Sequence, residues 1–94
     1  MEIKKQQFEE RGKLIASQTS QKMGEMSYSV AADKWIIDHT EVSGNFRGEG
    51  VGEKLLEALV KEAREKQVEI LPLCPFAASV FQKRVELQDV LKKK

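Results

Sequence analysis

One stretch limits what this chain can fold into. Ile36 to Val42 reads as a strand, Asn45 to Gly52 carries glycines at positions 48, 50 and 52, and a charged, apolar-striped segment follows from Glu53. That order is strand, glycine loop, helix. Without Cβ atoms at Gly48, Gly50 and Gly52, the backbone can turn tightly and bring its N–H groups close to a ligand. The first N–H groups of the following helix lack intrahelical partners and sit at the positive end of its dipole, so the natural occupant of the junction is an anion. The loop is not a Walker A motif, because Gly52 is followed by Glu53 where that motif needs Lys-Ser or Lys-Thr. Nor is it a dinucleotide fingerprint, whose third glycine would fall on Glu53, and 94 residues are too few for the usual doubly wound sheet.

The segments around the junction read in turn. Residues 1–11 are mostly charged or amide, with Ile3 and Phe8 as large apolar anchors, and suit a strand or a loose arm. Lys13 to Ser17 has an apolar centre that fits a strand, and Gln18 to Lys22 reads as a polar turn. Strict alternation from Glu25 to Val30 puts Met26, Tyr28 and Val30 on one face of a half-buried strand. Residues 31–34 are a hairpin-sized connection to the strand 35–42, which makes an antiparallel meander. Over 53–66, Val51, Leu55, Leu59 and Ala63 form an i, i+4 row beside Leu56 and Val60, while Glu57–Lys61 and Glu62–Lys66 pair on a solvated face. Val68 to Leu73 is a short apolar strand. Strand, helix and strand of this length imply a parallel, right-handed crossover that sets 68–73 beside 35–42. Pro75 suits the first position of a second helix with Cys74 at its N-cap, and Val85 to Leu91 can pack as a short terminal helix or turn.

Composition narrows the function classes. Ninety-four residues make a single domain, 1–94, with one modest core. Sixteen basic and fifteen acidic side chains nearly cancel, so the charge balance gives no reason to expect nucleic acid or an anionic membrane as partner, and the three terminal lysines read as a solvated tail. No apolar run approaches the ~20 residues that span a bilayer, and the charged N-terminus lacks the apolar centre of a signal peptide, which together suggest a soluble, cytoplasmic protein. One cysteine and one histidine exclude an intrachain disulfide and a conventional zinc cluster, so no metal is expected.

Three motifs stand in order: His39-Thr40-Glu41-Val42, Arg47-Gly48-Glu49-Gly50 with Val51-Gly52, and Pro72-Leu73-Cys74-Pro75-Phe76. The middle one resembles the acetyl-CoA signature of the GNAT acyltransferase superfamily. All three together resemble its minimal, roughly 100-residue N-acetyltransferase branch with an active-site cysteine, over about Gly24 to Leu91. Near the C-terminus the chain departs from that pattern, with Arg84 to Val90 where the branch often carries a His-Pro-Glu-Tyr-like run. The resemblance implies an α+β fold with a mixed, mostly antiparallel sheet and two main helices, and acetyl-CoA as donor to an amine acceptor. It also implies a CoA entry at the splay between strands 35–42 and 68–73. A CoA-binding or regulatory module with little or no turnover is the alternative, and a plain interaction domain a third reading.

The residues sort by the chemistry of acyl transfer. Arg47, Gly48, Gly50, Val51 and Gly52 are the cofactor-binding candidates, through backbone N–H groups and one guanidinium. His39, the side chain whose ordinary pKa lies near neutrality, is a candidate base or orienting group, or a histidine that fixes the strand end. Glu41 shares its face. Thr40 points the other way in a regular strand, its hydroxyl expected to satisfy local backbone. Cys74 at a helix start would have its thiolate stabilised by unpaired N–H groups, or would be a buried small hydrophobe. The resemblance marks it as the active-site cysteine. Phe76, Phe81, Trp35 and Tyr28 fall at core periods.

Overall fold

The computed structural model describes residues 1–91; the lysine tail expected at 92–94 lies outside them. Five strands form one sheet in chain order: β1 (Glu2–Phe8), β2 (Arg11–Gln18), β3 (Gln21–Ala31), β4 (Lys34–Val42) and β5 (Glu69–Pro72). The first four make an antiparallel meander, and β5 joins β4 in parallel after the crossover through helix α1 (Val51–Lys66). Helix α2 (Pro75–Lys83) and a 3-10 turn (Val85–Val90) follow, and Leu91 makes a bridge to Ile70 of β5. This is the expected α+β architecture. The N-terminal residues form a full strand with no loose arm, and the polar turn shrinks to Thr19 and Ser20, both with positive φ.

The sheet is covered on one face. Leu14, Met26, Tyr28, Trp35 and Ile37 point toward α1, whose row of Val51, Leu55, Leu59 and Ala63 meets them with under 3% exposure each. Tyr28 and Trp35 stack at 4.9 Å between ring centroids. Helix α1 ends at Gln67 in the left-handed conformation, whose N–H reaches back to the carbonyls of Ala63 and Arg64. The C-terminal elements are tied to α1 by arginines. Arg64 binds both carboxylate oxygens of Asp89 at 2.6 and 2.9 Å, and Arg84 pairs with Glu57 and Glu53 at 3.2 and 3.6 Å.

Two irregularities interrupt the meander. The one that matters for the site lies between β3 and β4, where Ser27 pairs with His39 but Tyr28 pairs with Ile37, leaving Asp38 as an extra residue. A bulge of this kind reverses the facing of every later side chain on its strand. Trp35 and Ile37 face the helices; after the bulge, so do Thr40 and Val42, opposite Met26 and Gly24.

Candidate active site

The glycine junction forms as the sequence predicts. After β4 a 3-10 turn (Gly44–Phe46) leads into Arg47, and the chain then passes Gly48 at φ +85° and Gly50 at φ +75°. Gly50 is the N-cap of α1, which begins at Val51, two residues before the expected Glu53. A Cβ added at either Gly48 or Gly50 would meet nothing within 4 Å. These glycines therefore open onto free space beside the helix N-terminus, the geometry a bound anion needs. A cleft of about 250 Å³ lies there, lined by Arg47, Gly48, Gly50, Val51, Gly52 and, on its other wall, Phe46, Val42 and Phe76. Glu53 also lines it, held in an ion pair by Arg84.

Gly52 has a different job from the one its place in the motif suggests. It is buried, and a Cβ on it would stand 2.5 Å from the Phe76 ring. Its missing side chain seats that ring against the first turn of α1. Phe76, expected in the core, remains 38% exposed and forms part of the cleft wall.

Strands β4 and β5 separate where the chemistry is expected. Their pairing stops at Ile37 and Pro72, and the Ile37 carbonyl accepts from both the Leu73 and Cys74 N–H groups, each at 3.1 Å. Past that point β4 has no strand beside it on this side among the described residues. Cys74 stands at the mouth of the split, at the N-cap of α2, and is 7% exposed. Burial by itself raises its thiol pKa. The Thr40 hydroxyl and the backbone N–H groups of Ala77, Phe76 and Thr40 act the other way and leave it below its ordinary value. The thiol donates to Thr40 Oγ1 at 3.5 Å, so the hydroxyl expected to serve local backbone serves the sulfur.

His39 is not brought to Cys74. Paired with Ser27, it leaves β4 on the uncovered face of the sheet, 62% exposed, with Glu41 Oε2 at 3.7 Å from Nε2. The two candidates flank the strand from opposite sides. Thr40 was within reach of sequence reasoning only through the residues around it, because nothing in Ile37-Asp38-His39 marks an extra residue.

Comparisons with known proteins bear on the family and the fold. A family model described as a GCN5-related N-acetyl-transferase matches residues 11–90. An NMR structure of a GCN5-like putative N-acetyltransferase from Staphylococcus aureus is 36% identical, with a TM-score of 0.72 over 99% of this chain and 89% of that one. The ribosomal-protein-S18-alanine N-acetyltransferase of Escherichia coli superposes with a TM-score of 0.72 at 18% identity, over 82% of this chain and 53% of its own. This chain thus spans about half the length of that enzyme. A putative streptothricin acetyltransferase from Bacillus anthracis, solved with acetyl coenzyme A, gives a TM-score of 0.62 at 22% identity over 79% and 46% of the two chains. No curated protein matches the sequence. With the match spanning nearly the whole chain and the junction, the split sheet and the crossover all in place, this protein belongs to the GCN5-related N-acetyl-transferase family.

Proposed function

We propose that the protein takes an acetyl group from acetyl-CoA and passes it to an amine. The observation that carries this reading is the junction at α1, where two left-handed glycines face open space beside free helix N–H groups and Arg47. A pyrophosphate fits that chemistry, and the bound thioester would supply the activated acetyl group. The backbone N–H groups of Gly48, Gly50, Val51 and Gly52 would donate to the phosphate oxygens, and the Arg47 guanidinium adds a charge-assisted contact. The free edge of β4 offers hydrogen-bonding groups to the amides of the pantetheine arm. Cys74, at the end of that edge, either gives its proton to the departing thiolate or accepts the acetyl group itself before the amine takes it. His39, on the other face, can receive the proton that the amine loses, with Glu41 beside it to steady the imidazolium.

A CoA-binding module with little turnover is the second reading, and the exposure of His39 favours it. No helix among the described residues covers that face to wall an acceptor in. The acceptor is therefore left as an amine, on a small molecule or on a protein. Isothermal titration with CoA and acetyl-CoA, followed by release of free CoA with a panel of amines against a no-acceptor control, decides among the readings. Binding with amine-dependent release supports the transferase. Binding without release supports the module, and no affinity leaves an interaction domain.

A further inference from the structure

We infer that Thr40 is the positioning residue of Cys74: the bulge in β4 delivers its hydroxyl to the sulfur, where it holds the thiolate at the mouth of the split. What the sulfur is then used for rests on the transferase reading; the contact itself does not.

In an unbroken strand Trp35, Ile37, His39 and Glu41 would share one face, so His39 would point toward the helices and Thr40 away from them. The extra residue at Asp38 exchanges the two. Ser29 Oγ donates to Asp38 Oδ2 at 2.6 Å, anchoring the bulge on the uncovered face. Thr40 then stands opposite Met26, half-buried, with Oγ1 3.5 Å from Cys74 Sγ. A hydroxyl serves either form of the sulfur, accepting from the thiol and, once turned, donating to the thiolate after its proton has gone to water. The second bond is the stronger because its acceptor is charged, so the contact favours ionisation. The N–H groups of Thr40, Phe76 and Ala77 act in the same sense.

Charged side chains do not account for this. Asp38, His39 and Glu41 on β4 lie toward the uncovered face, where Asp38 is held by Ser29 and Arg11 and His39 stands beside Glu41. Glu53 on α1 is paired with Arg84, at the C-terminus of α2. The last turn of α2 also carries Lys83, far along the helix from its N-cap at Cys74, and β5 contributes Glu69 at its opposite end. The groups on the sulfur are neutral donors, and of these the Thr40 hydroxyl is the one a side-chain substitution can remove.

The test is the pH dependence of Cys74 alkylation by iodoacetamide in the protein without CoA, for the parent, Thr40→Val and Thr40→Ser. Valine keeps the shape and loses the hydroxyl, whereas serine keeps the hydroxyl. The expected result is an apparent thiol pKa raised by about half a unit or more in Thr40→Val and close to the parent's in Thr40→Ser. Equal values for Thr40→Val and the parent, or an equal rise in both variants, would overturn the inference. Thr40→Ala takes the place of Thr40→Val if the latter does not fold by circular dichroism. Acetyl transfer against pH is measured alongside: where Cys74 accepts the acetyl group as a thiolate, Thr40→Val is expected to need a higher pH for the same rate at unchanged CoA affinity. A parent that transfers nothing while the alkylation shift is present sinks the transferase reading and leaves the Thr40 contact standing.

Discussion

Asp38 is the residue on which the site turns, since its insertion into β4 decides which of its neighbours meets the sulfur. The same uncovered face holds Glu25, whose ionisation is tied to folding. Glu25 accepts a hydrogen bond from the Lys22 ammonium and forms an ion pair with Lys13 at 3.6 Å. The Lys22 ammonium holds its carboxyl below the ordinary range, against the opposing effect of burial. A depressed folded-state pKa means stability that is present above the unfolded value, about 4.3, and lost as pH falls through the folded value. Glu25→Gln should therefore lower stability by about 0.5–1 kcal/mol at pH 7, and the gap should close below about pH 4. Urea unfolding of both proteins across pH 3–7 measures it. A gap that stays constant with pH would assign the loss to packing instead of charge.

At the scale of elements, the loop and the first turn of α1 use their glycines for two purposes, and paired substitutions separate them. Gly50 caps α1 at φ +75° with open space before it, so Gly50→Val should add about 1–2 kcal/mol of backbone strain and place methyl groups where the pyrophosphate would lie. CoA affinity should fall at least tenfold, about 1.4 kcal/mol. Gly52→Ala pushes on the Phe76 ring, so it should lower stability by about 1–3 kcal/mol through overpacking between α1 and α2. Its effect on CoA should be the smaller one. Calorimetric titration and thermal melting of both variants check the contrast, and a folded Gly50→Val that binds CoA as the parent does would remove the junction from the binding site. The sequence placed this loop and helix because glycine spacing and the i, i+4 apolar row are local signals. It could not separate Gly52 from Gly48 and Gly50, because what Gly52 makes room for comes from a segment more than twenty residues later.

The whole molecule is a thin, two-layered body of 39 × 31 × 20 Å, with helices on one face of the sheet and polar side chains such as Lys13, Ser27 and His39 on the other. A ligand that enters the split between β4 and β5 and reaches the α1 junction would join elements otherwise linked by few strand contacts. CoA at 100 times its Kd should then stabilise the fold by about 2.7 kcal/mol, read as a rise of roughly 10 °C or more in melting temperature. An unchanged melting point at saturating CoA would contradict the proposed site. The sequence by itself determined the meander, the parallel crossover, the glycine junction and the helix start at Cys74, because alternation, helical periodicity, glycine and proline each act on the residues beside them. Only the tertiary structure decided that Thr40 faces Cys74, that His39 faces away and that Phe76 rests on Gly52. A bulge is fixed by the register of β4 against β3, and a close approach by the packing of α2 on α1; neither leaves a mark on the short stretch of chain that it rearranges.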